Sequence, residues 1–287
     1  MFGKTRQSFY AHHWRAEETT LEHAIVLELV QEIRNKMPRI GTPKLAFMLK
    51  ESFVQHGIKM GRAGLNDLLS EHGMLVRKKR RKPKTTDSNH WYRRYQNLIK
   101  NIEINRPEQV WVCDITYISL IDCFAYLSLI TDAYSRKIVG YCLNKTLESR
   151  GPIDALEMAL GSWDCSLGKL IHHSDRGVQY CCNEYTGILI DAGILISMTQ
   201  KGDPYENAIA ERINGILKTE FNLADTFDEF EQASAAVNQS IMVYNEVRPH
   251  ASCDYLTPEQ AHEKNGVLNK KWKNYKKYRK QNEEIIV

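Results

Sequence analysis

The sequence predicts an α/β fold, a mixed sheet with flanking helices, preceded by a small all-α domain. Three observations lead to this prediction. Apolar residues recur at helical spacing near the N-terminus, a polar stretch from Thr85 to Pro107 lacks periodicity, and strand-like runs then alternate with helical ones. Of the 287 residues, 43% are hydrophobic, which is ordinary for a chain that buries a core.

The N-terminal part is expected to be helical. Residues 18–36 predict an amphipathic helix. A second helix is expected from Thr42, where Thr42 can cap the helix and Pro43 fits its first turn. Gly57 breaks the chain before a third helix near Gly61 to Glu71, on which Arg62 points outward. Two short helices around a glycine turn resemble a helix-turn-helix DNA reader, although helical bundles without a DNA function share the pattern. The predicted buried face of the first helix is Leu21, Ile25, Leu29 and Ile33.

After the polar stretch, the elements follow the order of three strands, helix, strand, helix, strand, helix. This order fits a ribonuclease-H-like mixed sheet with helices on both faces. A last helix is expected from Thr226, where Thr226 and Glu229 match a capping box. The preceding elements are expected at 110–118, two strands within 125–143, 153–163, 169–175, 183–192, 194–199 and about 205–221.

Two basic runs suggest a polyanionic partner, and the net charge is +4. The run from Arg77 to Lys84 holds seven cations in eight residues. The run from Lys270 to Lys280 holds seven cations in eleven residues, and three aromatic residues are interleaved with its cations. Such runs suit phosphate contact and base stacking, while a solvated linker and tail is the alternative. The residues predicted to contact DNA here are Arg77, Lys78, Lys79, Arg80 and Arg81.

These patterns divide the chain into four parts. Residues 1–84 form a helical DNA-binding region with a basic arm, 85–106 a linker, 107–262 the α/β core and 263–287 a basic tail. The seven cysteines show no Cys-x-x-Cys pair, which indicates reduced thiols and argues against a disulfide framework or a zinc site. No apolar run reaches the length of a membrane helix, so no membrane partner and a cytoplasmic location are expected.

Three acids are candidates for metal-assisted phosphoryl transfer, which needs carboxylates held on rigid elements. Asp114 lies inside an apolar strand, where an acid is costly to bury unless it is paired or binds a cation. Asp175 ends a later strand. Glu211 shares a helix face with Asn207, Asn214 and Lys218. Taken singly, each acid also suits an edge, turn or solvated helix position.

Other polar residues are weaker candidates. Asp122 and Asp203 lie in turn-like contexts, whereas Asp132 ends an apolar strand and is harder to set aside. His172 and His173 lack a third soft ligand at a suitable spacing, so His173 is expected to be structural or to support the site from behind.

Several local motifs together resemble one known family. Thirty-five residues lie between Asp175 and Glu211, as in the Asp, Asp, 35, Glu signature of retroviral integrases and related bacterial transposases. The runs WVCDITYI, TDAYSRKIVGY, HSDRGVQY, ENAIAERINGILKTE, YNEVRPH and LTPEQA occur in the order found there. The chain is similar to the second-reading-frame product of the IS3 family of insertion-sequence transposases.

The resemblance implies a DNA transposase that cleaves at the ends of an insertion sequence and transfers the 3′-hydroxyl. Asp114, Asp175 and Glu211 would be catalytic and hold two Mg²⁺ ions, with Mn²⁺ able to substitute. Lys218 and Asn207 would contact DNA near the scissile phosphate. The implied partners are the terminal inverted repeats, target DNA, a second copy or larger synaptic complex, and the first-reading-frame product, in the bacterial cytoplasm at the nucleoid.

One motif departs from the family pattern, because Glu206 precedes Asn207 where the family usually has Asp. The family's first reading frame, with its own helix-turn-helix and leucine zipper, is not in this sequence. Two alternatives stay open: a structure-specific nuclease on the same fold, which would cleave without joining, and a non-enzymatic DNA-binding regulator.

Overall fold

The computed structural model describes residues 6–76, 91–200 and 207–271, and it describes side chains in the first helix from Leu21 onward. These residues divide into two compact units, one containing the N-terminal helices and one containing the sheet with its helices. The predicted DNA contacts Arg77 to Arg81, the acid Asp203 and the predicted tail beyond residue 271 lie outside the described residues.

The first unit is all-α, as predicted. Its helices are α1 (Arg6–Lys36), α2 (Thr42–Met48), α3 (Lys50–Gln55) and α4 (Arg62–Glu71). Gly57 adopts a positive φ of 69° between α3 and α4, a conformation that glycine accepts without steric cost. Arg62 is exposed at the start of α4. Gly41, not Thr42, precedes α2 as its cap, and Pro43 occupies the first turn as expected.

The predicted buried face of α1 is wrong by one position. Val26 and Val30 are fully buried, whereas Leu21 is 65% exposed. Ile25, Leu29 and Ile33 are only partly buried. Rows at four-residue spacing adjoin each other on a helix, and tertiary packing decides which row faces the core.

The second unit is built on a mixed sheet with strand order β3-β2-β1-β4-β5. The β1–β2 and β2–β3 pairs are antiparallel, whereas β1–β4 and β4–β5 are parallel. The strands are β1 (Val110–Leu120), β2 (Phe124–Asp132), β3 (Ile138–Asn144), β4 (Ile171–Ser174), β5 (Leu195–Met198) and β6 (Thr226–Phe227). The helices are α5 (Arg150–Ser162), α6 (Val178–Cys181), α7 (Asn183–Asp191), α8 (Ala208–Glu220), α9 (Phe230–Glu246) and α10 (Pro258–His262).

Helices cover both faces of this sheet. On one face Trp111 and Cys113 of β1 pack with Leu156 of α5 and Leu189 of α7. On the other face Val110 and Val112 pack with Ala210 of α8. Because successive strand residues point to opposite faces, Asp114 shares the α8 side with Val110 and Val112. The predicted ribonuclease-H-like α/β fold is therefore confirmed.

Two local expectations differ from the structure. Thr226 does not cap a helix, because Thr226 and Phe227 pair with Ser119 and Leu120 at the end of β1, and the last long helix begins at Phe230. Part of the predicted linker is ordered against the second unit, where Tyr92 and Tyr95 pack on the main core cluster. The other domain boundaries stay predictions.

Helix α10 is anchored by a buried polar cluster. Asp132 accepts hydrogen bonds from the Ser135 and Glu108 amides at 2.7 and 2.9 Å. His262 of α10 contacts Glu108 at 2.9 Å and Ser135 Oγ at 3.0 Å. This cluster gives Asp132 a structural role and explains an acid that strand position alone left open.

Two further features bear on the expectations above. All seven cysteines are free thiols. Within the described ranges, no helix combines the length and the apolar character needed to cross a membrane.

Candidate active site

Asp114 lies on β1 just beyond the short stretch that pairs with β4. Its side chain is partly buried, and both carboxylate oxygens accept hydrogen bonds. Oδ1 accepts from the Ile115 amide at 3.0 Å, and Oδ2 accepts from the side-chain amide of Asn214 at 2.7 Å. The carboxylate is therefore oriented by its own strand and by helix α8.

Asp175 directly follows β4, the parallel neighbour of β1. Its Oδ1 accepts a 2.9 Å hydrogen bond from the amide of Gly177. A Cβ atom built on Gly177 would lie 3.0 Å from that same oxygen, so the turn fits a glycine closely. Parallel pairing thus brings Asp175, which follows the end of β4, beside Asp114 in the middle of the longer strand β1. Asp175 therefore occupies the strand-end position that is common for ligand-binding residues.

The two aspartates interact electrostatically. Burial, followed by the negative charge of Asp175, raises the pKa of Asp114 to about 7, and the hydrogen bond from Asn214 opposes this rise. The charge of Glu211 raises the Asp114 pKa further, as the smallest of these influences. Asp175 and Glu211 thus add negative charge beside Asp114, which a cation would offset.

Glu211 lies in the first turn of α8 with its side chain exposed. The polar residues that share a helix face with Glu211 by sequence spacing contact β1. Asn214 reaches Asp114, and Asn207 is buried and donates a 3.0 Å hydrogen bond to the Cys113 carbonyl. Lys218 lies 4.0 Å above the ring of Tyr117. Helix α8 is therefore joined to the acid-bearing strand along its polar face.

The donor set suits a hard divalent cation, since all three side chains are carboxylates. As they stand, no three His, Cys, Asp or Glu side chains in the described part of the chain group closely enough to hold a metal ion. Asp114 and Asp175 form the close part of the set, and the longer side chain of Glu211 is exposed beside them. The residues thus fit a metal by the chemistry of their donor atoms.

A cavity of about 290 Å³ opens at the aspartates. Its lining includes Asp114, Asp175, Tyr117, Tyr126 and Val178. The two acids suit a cation, and the aromatic and aliphatic walls give the rest of the cavity an apolar surface. Tyr117 and Tyr126 had no role in the motif-based prediction, because aromatic residues in a strand usually belong to the core.

Behind Asp114, a buried hydrogen-bonded group supports the strand from the other face. His172 Nε2 lies 2.8 Å from both Cys113 Sγ and the Tyr185 hydroxyl. Burial, with the neighbouring His173, lowers the pKa of His172 to about 3, so the ring is neutral. His173 Nδ1 bonds Ser197 Oγ at 2.8 Å. Both histidines therefore have structural contacts, which agrees with the expectation for His173.

Comparison with known proteins identifies the family. Two family models described as integrase core domain match residues 104–204 and 192–258. A 31 kDa protein of insertion element IS600 from Shigella sonnei is 34% identical over 92% of this chain and 97% of that protein. Transposase InsF for insertion sequence IS3A from Escherichia coli strain K12 is 30% identical over 85% of this chain and 83% of its own length.

The chain is also similar to solved structures. The HTLV-2 integrase catalytic core domain in complex with magnesium matches 55% of this chain and 98% of that chain, at 20% identity and a TM-score of 0.44. A chain of the simian T-cell lymphotropic virus intasome, solved in complex with PP2A regulatory subunit B56 gamma, matches 85% of this chain and 77% of that chain, at 17% identity and a TM-score of 0.48.

The mixed sheet and the matching family models define an integrase core, the catalytic domain of a class of polynucleotidyl transferases. The chain belongs to the IS3 family of insertion-sequence transposases.

Proposed function

We propose that this transposase cleaves DNA at the ends of an insertion sequence and transfers the freed 3′-hydroxyl to a second phosphodiester, using Asp114, Asp175 and Glu211. The proximity of Asp114 on β1 to Asp175, just after the parallel strand β4, carries this proposal. Burial and mutual charge raise the pKa of Asp114 to about 7. Such a costly arrangement of acids is typical of a functional site.

The three carboxylates would hold two Mg²⁺ ions, and Mn²⁺ would substitute. Bound there, two divalent cations activate the attacking oxygen and stabilise the leaving oxygen. The chain's own contribution is orientation. Asn214 fixes Asp114, the Gly177 amide fixes Asp175, and the exposed Glu211 completes the set from α8.

DNA contacts are proposed on both units. Lys218 lies on the same helix as Glu211, and its ammonium suits a phosphate near the scissile bond. Asn207 is 8% exposed and donates a hydrogen bond to the Cys113 carbonyl. It therefore supports the site through β1, and its buried position does not favour the DNA contact predicted for it. Exposed Arg62 and the run from Arg77 to Arg81 would add salt-sensitive affinity.

The proposed partners follow from the reaction. Joining two DNA ends requires both ends in one assembly, so the chain would act as a dimer or larger synaptic complex on terminal inverted repeats and target DNA. The first-reading-frame product would join this complex, in the cytoplasm at the nucleoid.

Nicking and joining of a supercoiled plasmid that carries the element's ends tests the proposal, with Mg²⁺ or Mn²⁺ present. Wild type is compared with Glu211→Gln and with Asp122→Asn, a control acid that is exposed in the β1–β2 turn. Joined products from wild type and Asp122→Asn, but not from Glu211→Gln, support the proposal.

Two other results point to different functions. Cleavage without joining indicates a nuclease. Salt-sensitive DNA binding without chemistry, even after fusion to the first reading frame, indicates a regulator.

A further inference from the structure

Tyr117 lies three residues after Asp114 on β1 and makes a contact that the motif comparison does not assign. The ammonium nitrogen of Lys218 lies 4.0 Å from the centroid of its ring. At this distance a cation is attracted to the electron-rich face of an aromatic ring. Both side chains are partly buried, so solvent and salt screen the contact less than they would at the surface.

The Tyr117 ring is itself held in place. Phe124 meets it edge-on, with centroids 5.4 Å apart and planes at 72°. On the neighbouring strand Tyr126 is its register partner. Tyr117 and Tyr126 line the same cavity as Asp114 and Asp175. A fixed aromatic surface therefore connects the acid pair to the lysine of α8.

Holding the lysine has an energetic consequence. A lysine side chain has a flexible four-carbon stem and loses rotamer entropy when its ammonium is fixed on a ligand. A lysine already placed against a ring has lost part of that entropy before the ligand binds. The compact charge of the lysine is then already in position when a phosphate binds.

We propose that Tyr117 is a positioning residue, which holds the Lys218 ammonium beside the acid cavity to bind a phosphate of the DNA strand that flanks the scissile bond. The inference rests on the proposed function, since it takes DNA as the ligand of this cavity. It adds a role for an aromatic residue of β1, the strand that carries Asp114, and predicts that Tyr117 and Lys218 contribute to DNA binding as one unit.

A double-mutant cycle on DNA binding tests this role without turnover. The probe is a fluorescent duplex carrying the element's terminal repeat, titrated at several NaCl concentrations with Ca²⁺ replacing Mg²⁺. The variants are Tyr117→Leu, Tyr117→Phe, Lys218→Met and the Tyr117→Leu/Lys218→Met pair. The matched control is Tyr126→Leu, which removes a second aromatic wall of the cavity from the facing position on β2.

The expected results are specific to a cation held on a ring. Lys218→Met and Tyr117→Leu each weaken binding by about 3- to 30-fold, and the double variant is no weaker than Lys218→Met alone. Lys218→Met also lowers the slope of log affinity against log salt by about 0.9, as expected for one lost phosphate contact. Tyr117→Phe keeps wild-type affinity because it keeps the ring.

Additive losses in the double variant would overturn the inference. So would an equal loss in Tyr117→Phe and Tyr117→Leu, or a loss in Tyr126→Leu that matches Tyr117→Leu. Thermal unfolding midpoints identify a variant that merely fails to fold, and Tyr117→Phe then carries the test. Failure of the proposed function is separate, because it appears as DNA joining by Glu211→Gln in Mg²⁺, whatever the binding cycle gives.

Discussion

The side-chain amide of Asn214 donates a 2.7 Å hydrogen bond to Oδ2 of Asp114 and so joins helix α8 to the first acid-bearing strand. Asn214 is 7% exposed, so water has little access to replace its side of this bond. The bond also opposes the rise in the Asp114 pKa that burial and Asp175 produce. It therefore orients the carboxylate and stabilises its charged form.

We predict that Asn214→Ala lowers both Mn²⁺ affinity and DNA cleavage by about 10- to 100-fold, the usual cost of losing a residue that orients a metal ligand. Calorimetry gives the metal affinity, and plasmid nicking gives the activity. Asn183→Ala, an exposed asparagine at the start of α7, is the control and should change neither. An unaltered metal affinity in Asn214→Ala would contradict the orienting role.

His262 gives the second unit a pH-dependent stability. Burial alone would lower the pKa of His262, but its contacts with Asp132 and Glu108 raise the pKa to about 9. Because the pKa is raised in the folded state, protonated His262 stabilises the fold. This stabilisation is fully present below the pKa of about 6.5 that the histidine has in the unfolded chain, and it is lost as the pH rises through 9.

We therefore expect His262→Gln to reduce the free energy of unfolding by about 1 to 3 kcal/mol at pH 6, and by much less at pH 10. Urea unfolding of wild type and variant at the two pH values measures the difference. His56→Gln, at an exposed position, serves as the control. A His262→Gln cost that does not change with pH would argue against a charged histidine in the cluster.

Gly140 sets the spacing between β3 and α5. A Cβ atom there would overlap the carbonyl oxygen of Ala155 and lie 2.9 Å from Ala159 Cβ. We predict that Gly140→Ala destabilises the protein by about 1 to 3 kcal/mol, or more if the helix cannot move, because the closely packed core must shift. The control is Gly161→Ala in α5, where a Cβ atom meets nothing within 4 Å. Chemical denaturation should show the control to be neutral or stabilised by about 1 kcal/mol.

The free thiols should differ in reactivity according to burial. Cys123 and Cys165 are exposed, whereas Cys113 and Cys253 are buried, and burial raises the pKa of both buried thiols. We expect brief treatment with iodoacetamide to alkylate Cys123 and Cys165 first, since the thiolate is the reactive form. Mass spectrometry of peptides measures the order. Early labelling of Cys113 would mean that the strand bearing Asp114 opens readily.

Much of the sheet unit could be predicted because local pattern and tertiary structure agree there. The apolar run around Asp114 is a strand. Asn207, just before α8, and Asn214 and Lys218 on it contact β1, whereas Glu211 is exposed. Spacing alone could indicate that these four residues share a face. It could not show that Asn207 is buried as a support for the Cys113 carbonyl, because that depends on how closely α8 approaches the strand.

The sequence-based predictions were wrong or incomplete where contacts between residues distant in the chain outweigh the local conformational preference of the sequence. Thr226 and Glu229 match a capping box, but pairing of Thr226 with Ser119 extends the sheet and delays the helix to Phe230. Asp132 could not be distinguished from a catalytic acid until His262 and Glu108, far away in the chain, were placed beside it. The role of Tyr117 likewise depends on a lysine from another element.

The parallel pairing of β1 with β4 also governs when the site can exist during translation. Strands β1, β2 and β3 form a local antiparallel meander, but β4 reaches β1 only after α5 has been made. Protein chains emerge from the ribosome N-terminus first, and non-local parallel pairings form slowly. A nascent chain therefore carries Asp114 long before Asp175 and Glu211 arrive. We expect the growing polypeptide to be unable to cut DNA until the chain through Glu211 has left the ribosome.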